Sequence, residues 1–339
     1  MMVVVAFAIV YIVWGSTYFF IQMSVAHIPP MMVGVLRFLL SGTIMLLWCL
    51  FTKEKLFSWA VMRPAIVSGL LLLGLGNGAL IWSEQYIPSS LAAILLAAGP
   101  VWFVLLDKGK WQENFRSRST IFGLVVGFAG VLLLFAEQLK GGIVDAGGAS
   151  RVSGVRGVVE RVGGAGAVAG AGRHMEMVAL VVLVLGSISW ASGSLYSKYR
   201  SVSGSSNAVN AGWQMFAAGV AFIPASLISG EWAQFHPAEV PMSSWMGVVY
   251  LVTMGSLVGY SAFVWLLQVR PATQVSTHAY VNPVVAVILG VFFAGERMSS
   301  LQLTGLAVIL ISVLLINLSK YRSGLPTGRK ASRKAIATE

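Results

Sequence analysis

Hydrophobic residues in this 339-residue chain fall into long runs separated by short polar segments. Each run approaches the roughly 20 residues that a helix needs to cross the hydrocarbon core of a membrane. Lipid offers backbone groups no hydrogen-bond partner, so the runs must be helices. The pattern predicts an all-α membrane protein with ten transmembrane helices, near 3–22, 30–51, 64–82, 88–106, 119–136, 176–196, 208–229, 242–262, 273–293 and 301–318.

The composition agrees with a lipid environment, because 57% of residues are hydrophobic and only 10% are charged. A soluble domain carries about 25% charged residues. The net charge of +11 does not indicate a nucleic-acid partner, since the basic residues flank apolar runs. That placement is typical of topology signals and of contact with anionic lipid. The first run has no basic leader or small-residue cleavage site, so we expect it to be retained as a span.

Lysine and arginine are distributed unequally between the two sides of the predicted bundle. If the N-terminus is cytoplasmic, the inside loops and the C-terminal tail hold sixteen of them, and the short outside loops hold Arg297 alone. Short cytoplasmic loops carry the excess of basic residues in membrane proteins. The sequence therefore predicts that both termini are cytoplasmic.

The chain also repeats itself. Five residues recur at an offset of 183 positions: Gly76, Trp82, Gln85, Pro88 and Pro100 match Gly259, Trp265, Gln268, Pro271 and Pro283. With five spans in each copy, the second copy must enter the membrane from the opposite face. Such inverted repeats enclose a binding site near the middle of the membrane. At slightly smaller offsets, Trp14 and Ser16 match Trp190 and Ser192, and Gly42 matches Gly219, which sets Arg37 opposite Gln214.

The repeat divides the chain into four parts. We expect a first repeat at 1–136, a junction at 137–175, a second repeat at 176–320 and a basic cytoplasmic tail at 321–339. The junction is rich in glycine and alanine and its apolar residues are interrupted every few positions. It is predicted to be a flexible linker outside the membrane, with a functional lid or a segment without function as alternatives.

Three ionisable residues are candidates for function, because a charge inside a membrane is costly. Arg37, two turns into the second span, could bind solute or play a structural role in a pair with Glu84. Glu84 itself lies near the membrane interface, where a solvated loop is the alternative. His278 could accept protons or contact solute, or it could be a hydrogen-bonded packing residue.

Uncharged residues complete the candidate site. Trp14, Tyr18 and Trp190 could hold a partly apolar solute, or they could pack helices together. Asn77 and Tyr260 occupy equivalent places in the repeats and face a cavity or bridge helices. Prolines kink helices, so Pro100 and Pro283 are expected to open helices around the cavity. The remaining candidates for the solute pathway are Ser16, Ser192, Tyr280 and Asn282.

Catalytic chemistry has no support in the sequence. The four histidines are scattered, and no histidine, cysteine and carboxylate cluster has metal-ligand spacing. The glycines at 74–78 lie inside an apolar run with no preceding strand, which excludes a nucleotide-binding loop. We predict no catalytic residue, metal or cofactor. Any transport must use a gradient or run downhill, since there is no ATP-binding motif.

Several motifs together resemble those of the drug/metabolite transporter superfamily, in particular the EamA-type exporters of bacterial inner membranes. They are IVWGSTY at 12–18, Arg37-Phe38, PSSLAAIL at 88–95, Asn282-Pro283 and Gly295-Glu296-Arg297. The resemblance implies ten helices in two inverted repeats. It also implies a central cavity lined by spans 1, 3, 4, 6, 8 and 9, with spans 5 and 10 at the periphery. The first repeat lacks a counterpart of Gly295-Glu296-Arg297, and the junction is longer than such exporters need.

The leading hypothesis is a secondary transporter in the inner membrane, which exports a small organic solute by alternating access. An amino acid, a metabolite or a drug-like compound would fit. An intramembrane enzyme, a noncatalytic scaffold or receptor, and a nucleotide-sugar or metabolite exchanger of the same superfamily are the alternatives. The sequence predicts a small-molecule solute and membrane lipid as partners, and it does not indicate an oligomeric state.

Overall fold

The computed structural model describes residues 2–116, 118–139, 165–202, 205–270, 275, 278–296 and 298–324. Helices dominate these ranges, and ten of them are long. In chain order they are α1 (Met2–Val25), α2 (Pro30–Phe51), α3 (Trp59–Ser83), α4 (Ser89–Leu106), α5 (Arg118–Leu139), α6 (Ala165–Arg200), α7 (Asn207–Ile228), α8 (Met242–Val269), α9 (His278–Phe293) and α10 (Ser300–Gly324).

Length and composition support the membrane assignment. Within the described ranges, seven of these helices are long and apolar enough to cross a membrane. The other three, α5, α9 and α10, each contain a shorter apolar stretch. The prediction of an all-α membrane fold is therefore confirmed.

The helices extend into both ends of the segment that the sequence assigns to the junction. α5 continues to Leu139 and α6 already begins at Ala165, so the predicted limits of 137 and 175 differ from the helix ends. The first turns of α6 consist mostly of alanine and glycine, which add little hydropathy, although alanine is the strongest helix former. Residues 140–164 of the junction and 325–339 of the tail lie outside the described residues.

Four of the helices are irregular in the middle of the bundle. A wider π-helical turn occupies Val35–Leu39 in α2, Leu70–Asn77 in α3 and Leu251–Tyr260 in α8. α4 is interrupted at Ala97 and Ala98, so that it consists of Ser89–Leu96 and Gly99–Leu106. Local departures of this kind shift the direction in which side chains point and are frequent at functional sites.

The two repeats contact each other through α2 and α7. A Cβ atom on Gly42 of α2 would meet the backbone of Phe216 on α7, and a Cβ atom on Gly219 of α7 would meet the backbone of Leu39 on α2. Each glycine therefore lets the facing backbone approach closely, as small residues do in membrane helix pairs. Because the two glycines occupy equivalent places, the contact is reciprocal, which is what an axis between inverted copies produces.

Helices α5 and α10 form a pair at the edge of the bundle. The Ser119 hydroxyl donates to the Leu315 carbonyl over 2.9 Å. Gly127 faces the side chain of Ser312, and Gly130 faces that of Ile309. This pairing leaves the centre of the bundle to the other eight helices.

Two carboxylates from the second repeat cap helices of the first repeat. Glu231, just after α7, accepts hydrogen bonds from the backbone N–H groups of Met31 (3.1 Å) and Met32 (2.8 Å) at the start of α2. Burial raises the pKa of Glu231, and these two bonds offset part of the rise. A carboxylate satisfies the free N–H groups at a helix start and complements the helix dipole.

Glu296 plays the same part for α4. Its carboxylate accepts from the Ser89 backbone N–H (3.0 Å) and hydroxyl (2.7 Å) and from the Ser90 N–H (3.2 Å). The chain can turn back because Gly295 has φ +67°, a conformation that favours glycine. Gly290 leaves space for the carboxylate, which a Cβ atom there would meet. These caps fasten the two repeats together at the end of the bundle where α2 and α4 begin, called here the capped end.

Replacing Glu296 with glutamine is expected to lower the melting temperature of the purified protein. An amide offers one acceptor oxygen instead of two and no charge, so at least one N–H at the start of α4 loses its partner. We expect a loss of about 1–2 kcal/mol, measured by thermal unfolding in detergent. Glu239→Gln changes an exposed carboxylate of the α7–α8 connection and serves as the control. Equal melting temperatures for the two variants would contradict a capping role.

Candidate functional site

A cavity of about 100 Å³ lies at the centre of the bundle. It is lined by α1, α2, α3, α4, α6, α8 and α9. The resemblance to EamA-type exporters implies the same helices except α2, which contributes Arg37 and Phe38. Most of the candidates from the sequence line this cavity: Trp14, Tyr18, Arg37, Asn77, Pro100, Trp190, Tyr260, His278, Asn282 and Pro283.

The irregular turns of the helices coincide with the cavity wall. Asn77 and Tyr260 end the π-helical turns of α3 and α8, which are at equivalent places in the repeats. Pro100 follows the interruption in α4, whereas α9 continues as one helix through Pro283. Pro100 thus lies next to an opened helix and Pro283 does not. The cavity is placed where the two repeats depart from regular helix geometry.

Among the described residues that line the cavity, Arg37 is the one with a charged side chain. Its side chain is only 4% exposed, and its guanidinium lies 4.8 Å from the centre of the Phe38 ring. Nε donates to the Ser256 hydroxyl and Nη1 donates to the Asn77 side-chain oxygen, each over 3.1 Å. Both partners are neutral. The pairing of Arg37 with Glu84 that the sequence suggests is not among its described hydrogen bonds.

The equivalent position in the second repeat is occupied by a neutral residue, Gln214. Its amide nitrogen donates to the hydroxyl groups of Ser68 (2.8 Å) and Ser197 (3.2 Å), and its oxygen accepts from the Tyr260 hydroxyl (2.8 Å). Gln214 is therefore hydrogen-bonded to Tyr260, the counterpart of Asn77 in the second repeat, just as Arg37 is hydrogen-bonded to Asn77. The two hydrogen-bond networks have the same arrangement, and only the one around Arg37 carries a charge.

Aromatic rings form a second part of the cavity wall. The rings of Trp14 and Trp190, which are equivalent residues, meet edge to face with their centres 5.6 Å apart. Trp14 also packs on Phe263 at 4.7 Å, and its indole N–H donates to the Gly255 carbonyl. Because Trp14 and Trp190 are equivalent residues of the two repeats, their contact indicates that the axis relating the repeats passes through the cavity wall. Edge-to-face and offset geometries are the favoured ones for such rings.

His278 belongs to this aromatic group. Its ring centre lies 5.3 Å from that of Trp14 and 5.9 Å from that of Phe263. Nδ1 is 2.8 Å from the Val275 carbonyl, an acceptor, so Nδ1 carries a proton. The free nitrogen, Nε2, is then the one that could accept a bond.

Four candidates do not line the cavity or are not described there. Ser16 bonds the Val13 carbonyl and the Tyr250 hydroxyl, and Ser192 bonds the Ile188 carbonyl of its own helix. The bonds to the Val13 and Ile188 carbonyls are local contacts of the kind serine makes inside helices, whereas the bond to Tyr250 joins α1 to α8. Glu84 is 0% exposed, so a solvated loop position is wrong. The side chain of Tyr280 lies outside the described part of the chain.

The sequence did not single out two residues that the structure brings to the site. Ser256, a partner of Arg37, precedes Tyr260 by four positions and therefore shares its helix face. That spacing was a usable signal. Phe263 follows Tyr260 by three positions on the same helix face, and it packs against the lining residues Trp14, Trp190 and Tyr260 without lining the cavity itself. Among the described residues, no group of three or more His, Cys, Asp or Glu side chains is placed to hold a metal ion.

A bundle of inverted helical repeats around a central cavity defines a membrane transporter. The chain belongs to the EamA-like transporter family, whose model matches residues 1–136 and 177–318. This confirms the predicted family and its solute-transporting class.

Bacterial relatives of the chain agree with this assignment. The inner membrane transporter YedA of Escherichia coli K12 is 34% identical over 92% of this chain and 89% of its own length. A probable amino-acid metabolite efflux pump of the same organism is 23% identical over 93% of this chain and 94% of its own. A solved protein crystal structure shares the fold with a TM-score of 0.59 at 18% identity, covering 95% of this chain and 98% of that one.

Proposed function

We propose that this protein exports small organic anions across the inner membrane and that Arg37 holds their negatively charged group. The observation that carries this proposal is a buried guanidinium whose described hydrogen-bond partners are neutral. A buried cation is costly inside a membrane and marks a substrate pathway by default. The planar guanidinium of arginine suits a carboxylate because two of its N–H groups can donate to the two carboxylate oxygens at the same time.

The aromatic side of the cavity indicates the rest of the solute. Trp14 and Trp190 line the cavity and present ring edges and faces with few polar groups, so an apolar or aromatic portion of the solute would pack against them while its charged group binds Arg37. The combination favours an amphipathic carboxylate. The amino-acid metabolites named for one relative include molecules of this chemistry.

Alternating access would come from rocking one repeat against the other around this cavity. The reciprocal crossing of α2 and α7 supplies a close contact about which the repeats could turn, and the capped end would have to open for release. Both termini would be cytoplasmic, as the lysine and arginine distribution indicates. The capped end then faces the outside of the cell. We propose a transporter without catalytic activity, and the relatives named as inner membrane transporters and efflux pumps do not favour the alternatives.

Everted membrane vesicles test the solute class, because uptake into them corresponds to export from the cell. We use phenylacetate as an aromatic carboxylate and phenylacetamide as its neutral match. Vesicles containing the protein are expected to take up phenylacetate at least about tenfold faster than the amide, since the amide cannot replace a charged hydrogen bond worth roughly 1.5–3 kcal/mol. Vesicles without the protein give the background. Equal protein-dependent uptake of both compounds would contradict an anion site.

A further inference from the structure

His278 is a residue of the cavity wall to which the proposed function gives no role. Its ring packs edge to face against the rings of Trp14 and Phe263, at interplanar angles of 85° and 88°. Nδ1 is directed back to the Val275 carbonyl, three positions earlier in the chain and 2.8 Å away. Nε2, farther from the backbone, makes no hydrogen bond within the part of the chain that the structure describes. It is therefore the polar atom that this ring can offer to the cavity.

His278 differs in this respect from the hydroxyl groups of the cavity wall. Thr17 and Ser187 each donate to a carbonyl three positions earlier in their own helices, over 2.7 and 2.9 Å, and Tyr260 donates to Gln214 over 2.8 Å. Burial among rings without a carboxylate partner favours the neutral form of a histidine. With the proton on Nδ1, Nε2 of the neutral ring is an acceptor only. The wall thus holds an acceptor that a donor group of a solute would satisfy.

A short chain of contacts joins His278 to Arg37. The centre of the His278 ring lies 5.3 Å from that of Trp14, and the Trp14 indole N–H donates to the Gly255 carbonyl over 3.2 Å. Gly255 in turn lies beside the guanidinium, because a Cβ atom there would be 3.2 Å from Nη2 of Arg37. One indole and one glycine therefore connect the two side chains. A molecule with a carboxylate and a donor on opposite sides of an aromatic ring has the shape to reach both.

We propose that His278 is a specificity-determining residue: Nε2 accepts a hydrogen bond from a hydroxyl or N–H group on the aromatic portion of the solute while Arg37 binds its carboxylate. The carboxylate part of this proposal rests on the proposed function. The favoured solute is then an aromatic acid that carries such a donor, and it would contact a helix of each repeat. Without the acceptor, a solute hydroxyl would give up its bonds to water for an aromatic wall, which is costly.

A matched set of compounds tests this role on the purified full chain, with affinities measured at pH 8. The set contains the 2-, 3- and 4-hydroxyphenylacetates, the methylphenylacetates substituted at the same positions, and the amides of all six acids. A methyl group is close to a hydroxyl group in size and has no donor. At least one hydroxy acid is expected to bind about 3- to 10-fold more tightly than its methyl partner, as a neutral hydrogen bond allows. An apolar wall without an acceptor would favour the methyl compound instead. Equal or tighter binding of the methyl compound at all three positions, or no binding of any hydroxylated compound, would overturn the proposal.

His278→Phe keeps a ring between Trp14 and Phe263 and removes the acceptor, so the hydroxyl preference should disappear in this variant. The same exchange at His236, an exposed residue of the α7–α8 connection, is the control and should retain the preference. A preference that survives His278→Phe would place the acceptor on another group and overturn the proposal. The wild-type comparison decides the question on its own if the variant does not fold. Equal affinities for acids and amides would contradict the anion site at Arg37, while the hydroxyl preference still decides the role of His278.

Discussion

Replacing Arg37 with glutamine is expected to reduce phenylacetate uptake into everted vesicles roughly 10- to 100-fold. Hydrogen bonds to a charged group contribute about 1.5–3 kcal/mol, and each 1.4 kcal/mol corresponds to tenfold in binding. Glutamine can still bond Ser256 and Asn77, and Gln214 shows that this side chain fits the equivalent place in the other repeat. The fold should therefore survive the loss of the charge.

Two controls separate binding from folding. Arg270→Gln removes an exposed arginine at the end of α8 and should leave uptake at the wild-type level. The melting temperature of Arg37→Gln should remain close to that of wild type. Arg37→Ala and His278→Ala are expected to abolish transport at normal protein levels. If Arg37→Gln fails to accumulate in the membrane, Arg37 has a structural role and the anion site loses its support.

The apolar pattern predicted the helices well because lipid leaves the backbone no alternative to a helix. It could not predict where a helix departs from regular geometry. The residues of Leu70–Asn77 and Leu251–Tyr260 are as apolar as their neighbours, and both π-helical turns lie against helices of the other repeat. The same is true of the break at Ala97 and Ala98. These irregular turns shape the cavity, so the hydropathy pattern alone could not predict the outline of the cavity.

Repetition in the sequence identified the cavity residues better than it identified their roles. Trp14 and Trp190 recur and meet at the axis, whereas Ser16 and Ser192 recur in the same motif and bond away from the cavity. A repeated residue can serve the local backbone as easily as the site. Glu84 illustrates the opposite limitation, because the sequence around it does not reveal that it is buried. Its burial depends on residues of α1, α2 and the Glu296 segment that pack over the end of α3.

The two repeats are alike in structure and unlike in charge. Each places a polar side chain of its second helix against a polar side chain of its third, giving Arg37 with Asn77 and Gln214 with Tyr260. The carboxylates of Glu84, Glu231 and Glu296 all lie at the capped end. If Arg37 binds the solute as proposed, the solute would lie nearer the first repeat than the second.

The close approach of α2 and α7 leads to the second large prediction. Gly42→Leu is expected to yield no folded protein, because any side chain there meets the backbone of Phe216, which cannot rotate out of the way. Gly42→Ala should be folded but less stable by about 1–3 kcal/mol, the usual cost of overpacking. Thermal unfolding in detergent measures the difference. In α3, Gly74 has only the Leu70 side chain within 4 Å, at 3.9 Å, so Gly74→Ala is a matched control that should not destabilise.

Combining Gly42→Ala with Gly219→Ala tests whether the crossing is one reciprocal contact. A Cβ atom on Gly219 would meet the Leu39 backbone, so either substitution pushes the same two helices apart. Once one alanine has pushed α2 and α7 apart, part of the space that the second alanine needs is already open. The double variant should therefore lose less stability than the sum of the two single variants, as expected for residues that share a backbone shift. Full additivity would mean that the two glycines act independently and that the axis does not pass between them.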